Sequence, residues 1–117
     1  MISFLKSLFT PKESAMKNYT PQEVQKMLKD GSIALIDVRE PDEHASERIQ
    51  GAILCPLSAF DPHKLPDCKG KSVVFHCAGG VRSATAISKC LEANLSHDAH
   101  LAGGIKAWKS AGLPTTK

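Results

Sequence analysis

Cys77 is followed by Ala78-Gly79-Gly80-Val81-Arg82-Ser83, and that order of residue types has chemical consequences. Two adjacent glycines open backbone conformations closed to other residues. A tight loop built on them can turn successive N–H groups inward as an anion nest. An alanine-rich helix, read from Ser83 to about Ala93, follows directly and adds free N–H groups and the positive end of its dipole. A cysteine at the base of such a nest is favoured as thiolate. Thiols so placed titrate anywhere from ~3.5 to ~7.5, against ~8.5 unperturbed. The thiolate is the nucleophile. A buried cysteine after a strand is by itself often inert, but the glycine pair, Arg82 and the helix start together point to a reactive loop.

Around that loop, Arg82 is expected to hold the backbone in place or to steer an anion, because an arginine at a helix N-terminus opposes the dipole. Ser83 is read as the cap of the following helix and not as a reacting group. Asp37 closes a buried strand and needs a partner. Arg39 or a loop amide would serve, which makes Asp37 and Arg39 supports of the site. His76 precedes Cys77 in an extended strand, so the two side chains point to opposite faces and His76 reads as a hydrogen-bonded core residue. His44, His63, His97 and His100 have no metal-ligand spacing and read as surface residues. Cys55, Cys68 and Cys90 are taken as inert thiols, Cys90 in the core, and Trp108 as a core anchor.

The elements that must position these groups follow from pattern. Thr20-Pro21-Gln22-Glu23 starts a helix with a capping box, and Gly31 stops it. Ile33–Val38, Gly51–Cys55, Ser72–His76 and Ala99–Leu101 read as short buried strands. A turn with a short helix is read from Glu40 to Arg48 and a last helix from Ile105 to Ser110, while Ser58 to Gly70 is irregular. Apolar strands alternating with helices make an α/β fold, with a central parallel sheet of about five strands and helices on both faces. Ligands bind at the carboxyl ends of such strands, where Cys77 falls.

The chain has 117 residues, 42% of them apolar and 23% charged, which suits one globular domain. The net charge of +3 is spread along the chain and argues against nucleic acid. No cysteine pair has C-x-x-C spacing, so neither a metal nor a dithiol centre is expected. No secretory signal accompanies the thiols, so a reducing, cytoplasmic setting is expected. A monomer is also expected. Residues 1–18 are read as an N-terminal segment and linker, and 19–117 as the domain. Ile2, Leu5 and Phe9 recur at helical spacing, and the segment is read as a short helix packed on the domain or frayed. A weak membrane-surface contact through residues 1–9 is the alternative.

Three segments carry a family resemblance. They are Leu35-Ile36-Asp37-Val38-Arg39-Glu40-Pro41-Asp42-Glu43 with Ile49-Gln50-Gly51-Ala52; Cys77 to Ser83, in the form C-x-x-G-x-R-S; and Leu101-Ala102-Gly103-Gly104-Ile105-Lys106-Ala107-Trp108 with Ala111-Gly112-Leu113-Pro114. In this order, from about Tyr19 to Pro114, the chain resembles a single-domain rhodanese of the sulfurtransferase family. Arg48 departs from the family's usual His, and Cys55 from a frequent Asn. The resemblance implies a rhodanese-like fold and a persulfide cycle. Cys77 would take the sulfane sulfur of thiosulfate or of a persulfide donor, hold it among the loop amides of Ala78, Gly79, Gly80, Val81 and Arg82, and pass it to a thiol or to cyanide. It implies no cofactor. The implied partners are a small-molecule donor and a thiol acceptor, or a protein persulfide. Two other readings use the same residues. One is a non-catalytic rhodanese-like module that senses redox state or binds a partner. The other is a cysteine phosphatase of related fold, although those enzymes have a longer loop than the four residues, Ala78 to Val81, between Cys77 and Arg82 here.

Overall fold

Thr20 sets the first helix. Its hydroxyl accepts the Glu23 N–H over 3.1 Å, and the Glu23 carboxylate accepts the Thr20 N–H over 2.8 Å. This is the expected capping box. The computed structural model describes residues 16–117; the readings of Met1 to Phe9 and of Thr10 to Ser14 lie outside the described residues. Strand β1 (Lys17–Tyr19) precedes helix α1 (Pro21–Asp30), and Gly31 ends α1 in the left-handed region at φ 70°. Strand β2 (Ile33–Asp37), helix α2 (Pro41–Ser46) and strand β3 (Ile53–Leu54) follow. Two single 3-10 turns, Leu57–Ala59 and Pro62–Lys64, lie in or beside the stretch read as irregular. Strand β4 (Ser72–His76), helix α3 (Val81–Glu92), strand β5 (Ala99–Leu101) and helix α4 (Gly104–Ser110) complete the chain.

The five strands form one sheet in the order β1-β5-β4-β2-β3, every pair parallel. The α/β architecture expected from the alternating pattern is therefore present. Strand β1 is the element that local pattern does not reveal. It begins two residues before Tyr19, reads Lys-Asn-Tyr, and carries no apolar run; it is a strand because Asn18 pairs with His100 on β5.

Alternation along the buried strands divides the core in two. On one face Ile33, Leu35, Val74, Ala99 and Leu101 pack with Val24 of α1 and Ile105 and Trp108 of α4. On the other, Ile36, Val38, Val73, Phe75 and Cys77 pack with Ala86, Ile87 and Cys90 of α3. Phe60 meets Phe75 edge to face, with ring centroids 5.8 Å apart. Trp108 is the expected anchor: it is buried, and its indole N–H donates to Pro114 O over 2.8 Å. The chain reverses its direction of travel across the sheet between the adjacent strands β2 and β4. The segments that leave the carboxyl ends of these two strands carry Arg39 and Cys77.

Candidate active site

Cys77 leaves β4 on the face covered by α3, and the loop from Ala78 to Gly80 returns the backbone beneath it. Gly80, not Ser83, is the N-cap of α3, with φ 109°. A side chain there would be strained by the left-handed backbone and would approach Gly103 N to 3.5 Å. The turn brings two amides onto the sulfur. The Gly80 N–H donates to Cys77 Sγ over 3.1 Å, and the Ser83 N–H over 3.3 Å. The thiol lies 3.6 Å from Ser83 Oγ. Burial alone would raise the Cys77 pKa. The Ser83 amide and hydroxyl and the amides of Gly80 and Gly79 outweigh it, and the thiol is held below its ordinary value.

Cys77 is only 1% exposed, so its sulfur is at the floor of the loop. The rim above it is accessible: Gly79 is exposed, and Val81 is 80% exposed. The expectation that Ser83 only caps α3 is corrected here. Ser83 occupies the first turn and contacts the sulfur through both its amide and its hydroxyl, a role invisible in its spacing alone.

Helix α4 pins the loop from outside. Ile105 N–H donates to Cys77 O over 2.9 Å and Lys106 N–H to Ala78 O over 3.1 Å. Two carbonyls of the nucleophile loop thus cap the first turn of α4, and the approach is close. A Cβ on Gly104 would lie 2.4 Å from Cys77 O and 2.6 Å from both the carbonyl carbon and oxygen of Ala78. The Gly103-Gly104 pair is there because backbone meets backbone.

A second clamp comes from α2. Arg82 binds Glu43 with two parallel contacts, Nη1–Oε1 at 2.7 Å and Nη2–Oε2 at 3.0 Å. The contact holds the Glu43 carboxyl down at about 2. Arg82 therefore ties the start of α3 to α2, and its charge is matched. Glu43, which supplies the match, carries no signal of this role in the sequence.

Asp37 lies on the opposite face of the sheet from Cys77. Arg39 covers it, donating from its backbone N–H over 2.9 Å and from Nη2 over 2.7 Å. His44 Nδ1 is 2.9 Å from the same carboxylate. Burial pushes the Asp37 pKa up, but the contacts with Arg39, His76 and His44 together hold it below the ordinary carboxylate range. Arg39 Nη2 also donates to Glu47 O over 2.7 Å, just past the C-terminus of α2. Asp37 and Arg39 thus anchor the helix whose Glu43 holds Arg82. They reach the loop through α2 and not by touching the sulfur.

His76 is fully buried as expected, with Nδ1 3.1 Å from Cys77 O, and burial lowers its pKa. Of the four histidines read as surface residues, His44 and His100 are held in hydrogen bonds. His44 is half-buried against Asp37. His100 is 5% exposed, with Nδ1 2.7 Å from Ser83 Oγ and Nε2 2.8 Å from Asn18 Oδ1. The available signal is its place between Ala99 and Leu101 in a short strand, since a parallel strand buries both faces. His63 is exposed and His97 half-buried. Arg48 makes no ion pair among the described residues; its guanidinium donates to His44 O, and its backbone exchanges two hydrogen bonds with Thr116.

The remaining cysteines are free. Cys90 is in the core, and burial lifts its thiol to about 11, while burial also raises Cys55 and Cys68. Among the described residues no cluster of His, Cys, Asp and Glu could hold a metal ion, and no helix is long and apolar enough to cross a membrane.

The family model described as the rhodanese-like domain matches residues 20–111, which include the loop, Arg82 and both clamps. The chain belongs to the rhodanese-like family. This rhodanese-like domain is 30% identical over 90 residues to a sulfurtransferase of Allochromatium vinosum, covering 77% of this chain and 84% of that protein. It is 42% identical over 94 residues to a probable adenylyltransferase/sulfurtransferase MoeZ of Mycobacterium tuberculosis, covering 76% of this chain and 24% of that protein. A solved structure from Rhodopseudomonas palustris, described as a protein of unknown function and possible tyrosine phosphatase, matches with a TM-score of 0.74 at 28% identity, over 95% of this chain and 92% of that one. The domain spans between 24% and 54% of the length of the curated relatives it matches at 40% identity or more.

Proposed function

We propose that this rhodanese-like domain is a sulfurtransferase that carries a sulfane sulfur on Cys77. One observation carries the reading: the Gly80 and Ser83 amides converge on the Cys77 sulfur at 3.1 and 3.3 Å, where they stabilise negative charge. In the first step the Cys77 thiolate attacks the outer sulfur of thiosulfate or of a persulfide. A new S–S bond forms, the donor's S–S bond breaks, and sulfite or a thiolate leaves with the electron pair. In the second, an acceptor thiolate or cyanide attacks the terminal sulfur, and Cys77 departs as thiolate. No net oxidation occurs and the carrier is regenerated. Ala78, Gly79, Gly80, Val81 and Arg82 form the cradle, with Ser83 completing it. Asp37 and Arg39 support it through α2.

Arg82 is matched by Glu43, so the rim offers thiosulfate little unpaired positive charge. A low-molecular-weight or protein persulfide is therefore the better donor. The four-residue spacing from Cys77 to Arg82 favours one sulfur over a tetrahedral phosphate as the occupant. Intact mass spectrometry after treatment with thiosulfate, and separately with glutathione persulfide, tests the carrier step. The wild type should gain one sulfur, removable by cyanide with release of thiocyanate, and Cys77→Ser should gain none. A wild-type protein that gains no sulfur from either donor refutes the proposal. Turnover of a generic aryl phosphate instead would establish the phosphatase reading, and oxidation of Cys77 without sulfur turnover the sensing one.

A further inference from the structure

Ser83 is fully buried and its hydroxyl lies between two ionisable groups. On one side is Cys77 Sγ at 3.6 Å, on the other His100 Nδ1 at 2.7 Å. The second ring nitrogen of His100 meets Asn18 Oδ1 at 2.8 Å. An amide oxygen can only accept, so His100 Nε2 carries a hydrogen and Nδ1 presents its lone pair. Ser83 Oγ also lies 3.2 Å from Gly80 O, but Nδ1 is the nearer acceptor at 2.7 Å, so the Ser83 O–H donates to Nδ1 and leaves its oxygen free to accept from the Cys77 thiol. Every donor in the chain has an acceptor: Cys77 S–H to Ser83 oxygen, Ser83 O–H to His100 Nδ1, His100 Nε2–H to Asn18 Oδ1. The chain begins at a sulfur that is 1% exposed and ends on an exposed residue of the edge strand β1.

We propose that Ser83, His100 and Asn18 form a hydrogen-bonded relay that takes the proton of Cys77 from the floor of the loop and leaves the thiolate there. The proposal rests on the reading of Cys77 as the nucleophile. The proton on Sγ passes to Ser83 oxygen as the Ser83 proton passes to His100 Nδ1. Thiol and imidazole become thiolate and imidazolium, with Asn18 accepting from the Nε2–H of the cation. Protonation of His100 is reversed by the same route when the sulfur needs a proton. Ser83 touches the reacting atom; His100 and Asn18 act through it as positioning residues.

The ionisable groups around His100 do not compete. Lys17 and Tyr19 on β1, and His76 on β4, alternate onto the other face of the sheet from the Asn18–His100 contact. Arg82 on α3 is engaged by Glu43. Burial lowers the His100 pKa, which favours the neutral ring that accepts the Ser83 hydrogen bond.

The test is the pH profile of Cys77 alkylation by iodoacetamide, followed on the Cys77 peptide so that the other thiols do not contribute, together with the rate of sulfur loading from thiosulfate. His100→Gln keeps a hydrogen-bonding group but cannot take the proton. It should raise the kinetic pKa of Cys77 by about one unit and slow loading about tenfold near neutrality. Asn18→Asp places a carboxylate on the imidazolium from an exposed position and should move the profile the other way. In a Ser83→Ala background both changes should have no further effect, since the link is gone. An unshifted profile in Asn18→Asp and His100→Gln, or shifts that persist without Ser83, would overturn the relay while leaving the sulfur carrier intact. A wild-type Cys77 that neither loads sulfur nor alkylates faster than an ordinary thiol would overturn the nucleophile reading itself.

Discussion

Replacing Gly104 with alanine tests whether the loop is held by backbone packing against α4. Gly104 sits at φ +62°, a left-handed conformation that disfavours any Cβ by ~1–2 kcal/mol. The added methyl would also have to occupy space 2.4 Å from Cys77 O and 2.6 Å from Ala78 C and O. Backbone cannot swing aside as a side chain can, so the first turn of α4 must retreat from the loop. That retreat lengthens the Ile105–Cys77 and Lys106–Ala78 hydrogen bonds, now 2.9 and 3.1 Å. At a net contribution of about 1 kcal/mol each, their weakening adds about 2 kcal/mol. The expected loss is therefore about 3–4 kcal/mol. Gly112→Ala is the control, because Gly112 has φ +79° with nothing within 4 Å of where its methyl would sit, and only the strain of ~1–2 kcal/mol applies. Guanidinium unfolding with an unchanged m-value reads the difference. Displacing the Cys77 and Ala78 carbonyls should also misplace the sulfur and slow persulfide formation by about 10²-fold. If Gly104→Ala unfolds at the same denaturant concentration as Gly112→Ala and loads sulfur at the wild-type rate, α4 does not pin the loop.

Three further outcomes follow from the site. Glu43→Gln should release Arg82 toward anions: the KM for thiosulfate falls severalfold while that for an uncharged persulfide donor does not, and a rise in the thiosulfate KM would contradict this. Glu43 titrates at about 2 when folded against 4.5 as its ordinary value, so its pair with Arg82 contributes stability that is complete above pH 4.5 and lost as the pH falls toward 2. Asp37, also depressed, acts in the same direction. Denaturation midpoints measured between about pH 6 and about pH 2.5 should therefore drop less for Glu43→Gln than for the wild type. Among the cysteines, Cys77 should alkylate first near neutrality and Cys90, lifted to about 11 and fully buried, last; time-resolved peptide mapping reads the order, and early Cys90 labelling in folded protein would contradict it.

What the sequence by itself determined is local and periodic. Thr20 with Glu23, Gly31, and the apolar runs at Ile33 and Ser72 specify their elements because capping, glycine conformation and burial on both faces act over a few residues. Cys77 and its glycines were legible for the same reason, since a nest is made by consecutive amides. Tertiary structure alone decided the long-range partners. Asn18 meets His100 across 82 positions, Glu43 meets Arg82 across 39, and α4 lies against the loop. Ser83 has the residue type of a cap, and only the turn at Gly80 places it in the first turn of α3, against the sulfur. Strand β1 has no pattern of its own and exists only as the neighbour of β5. Such contacts depend on where a sheet of fixed order brings distant segments together, and no local spacing encodes that.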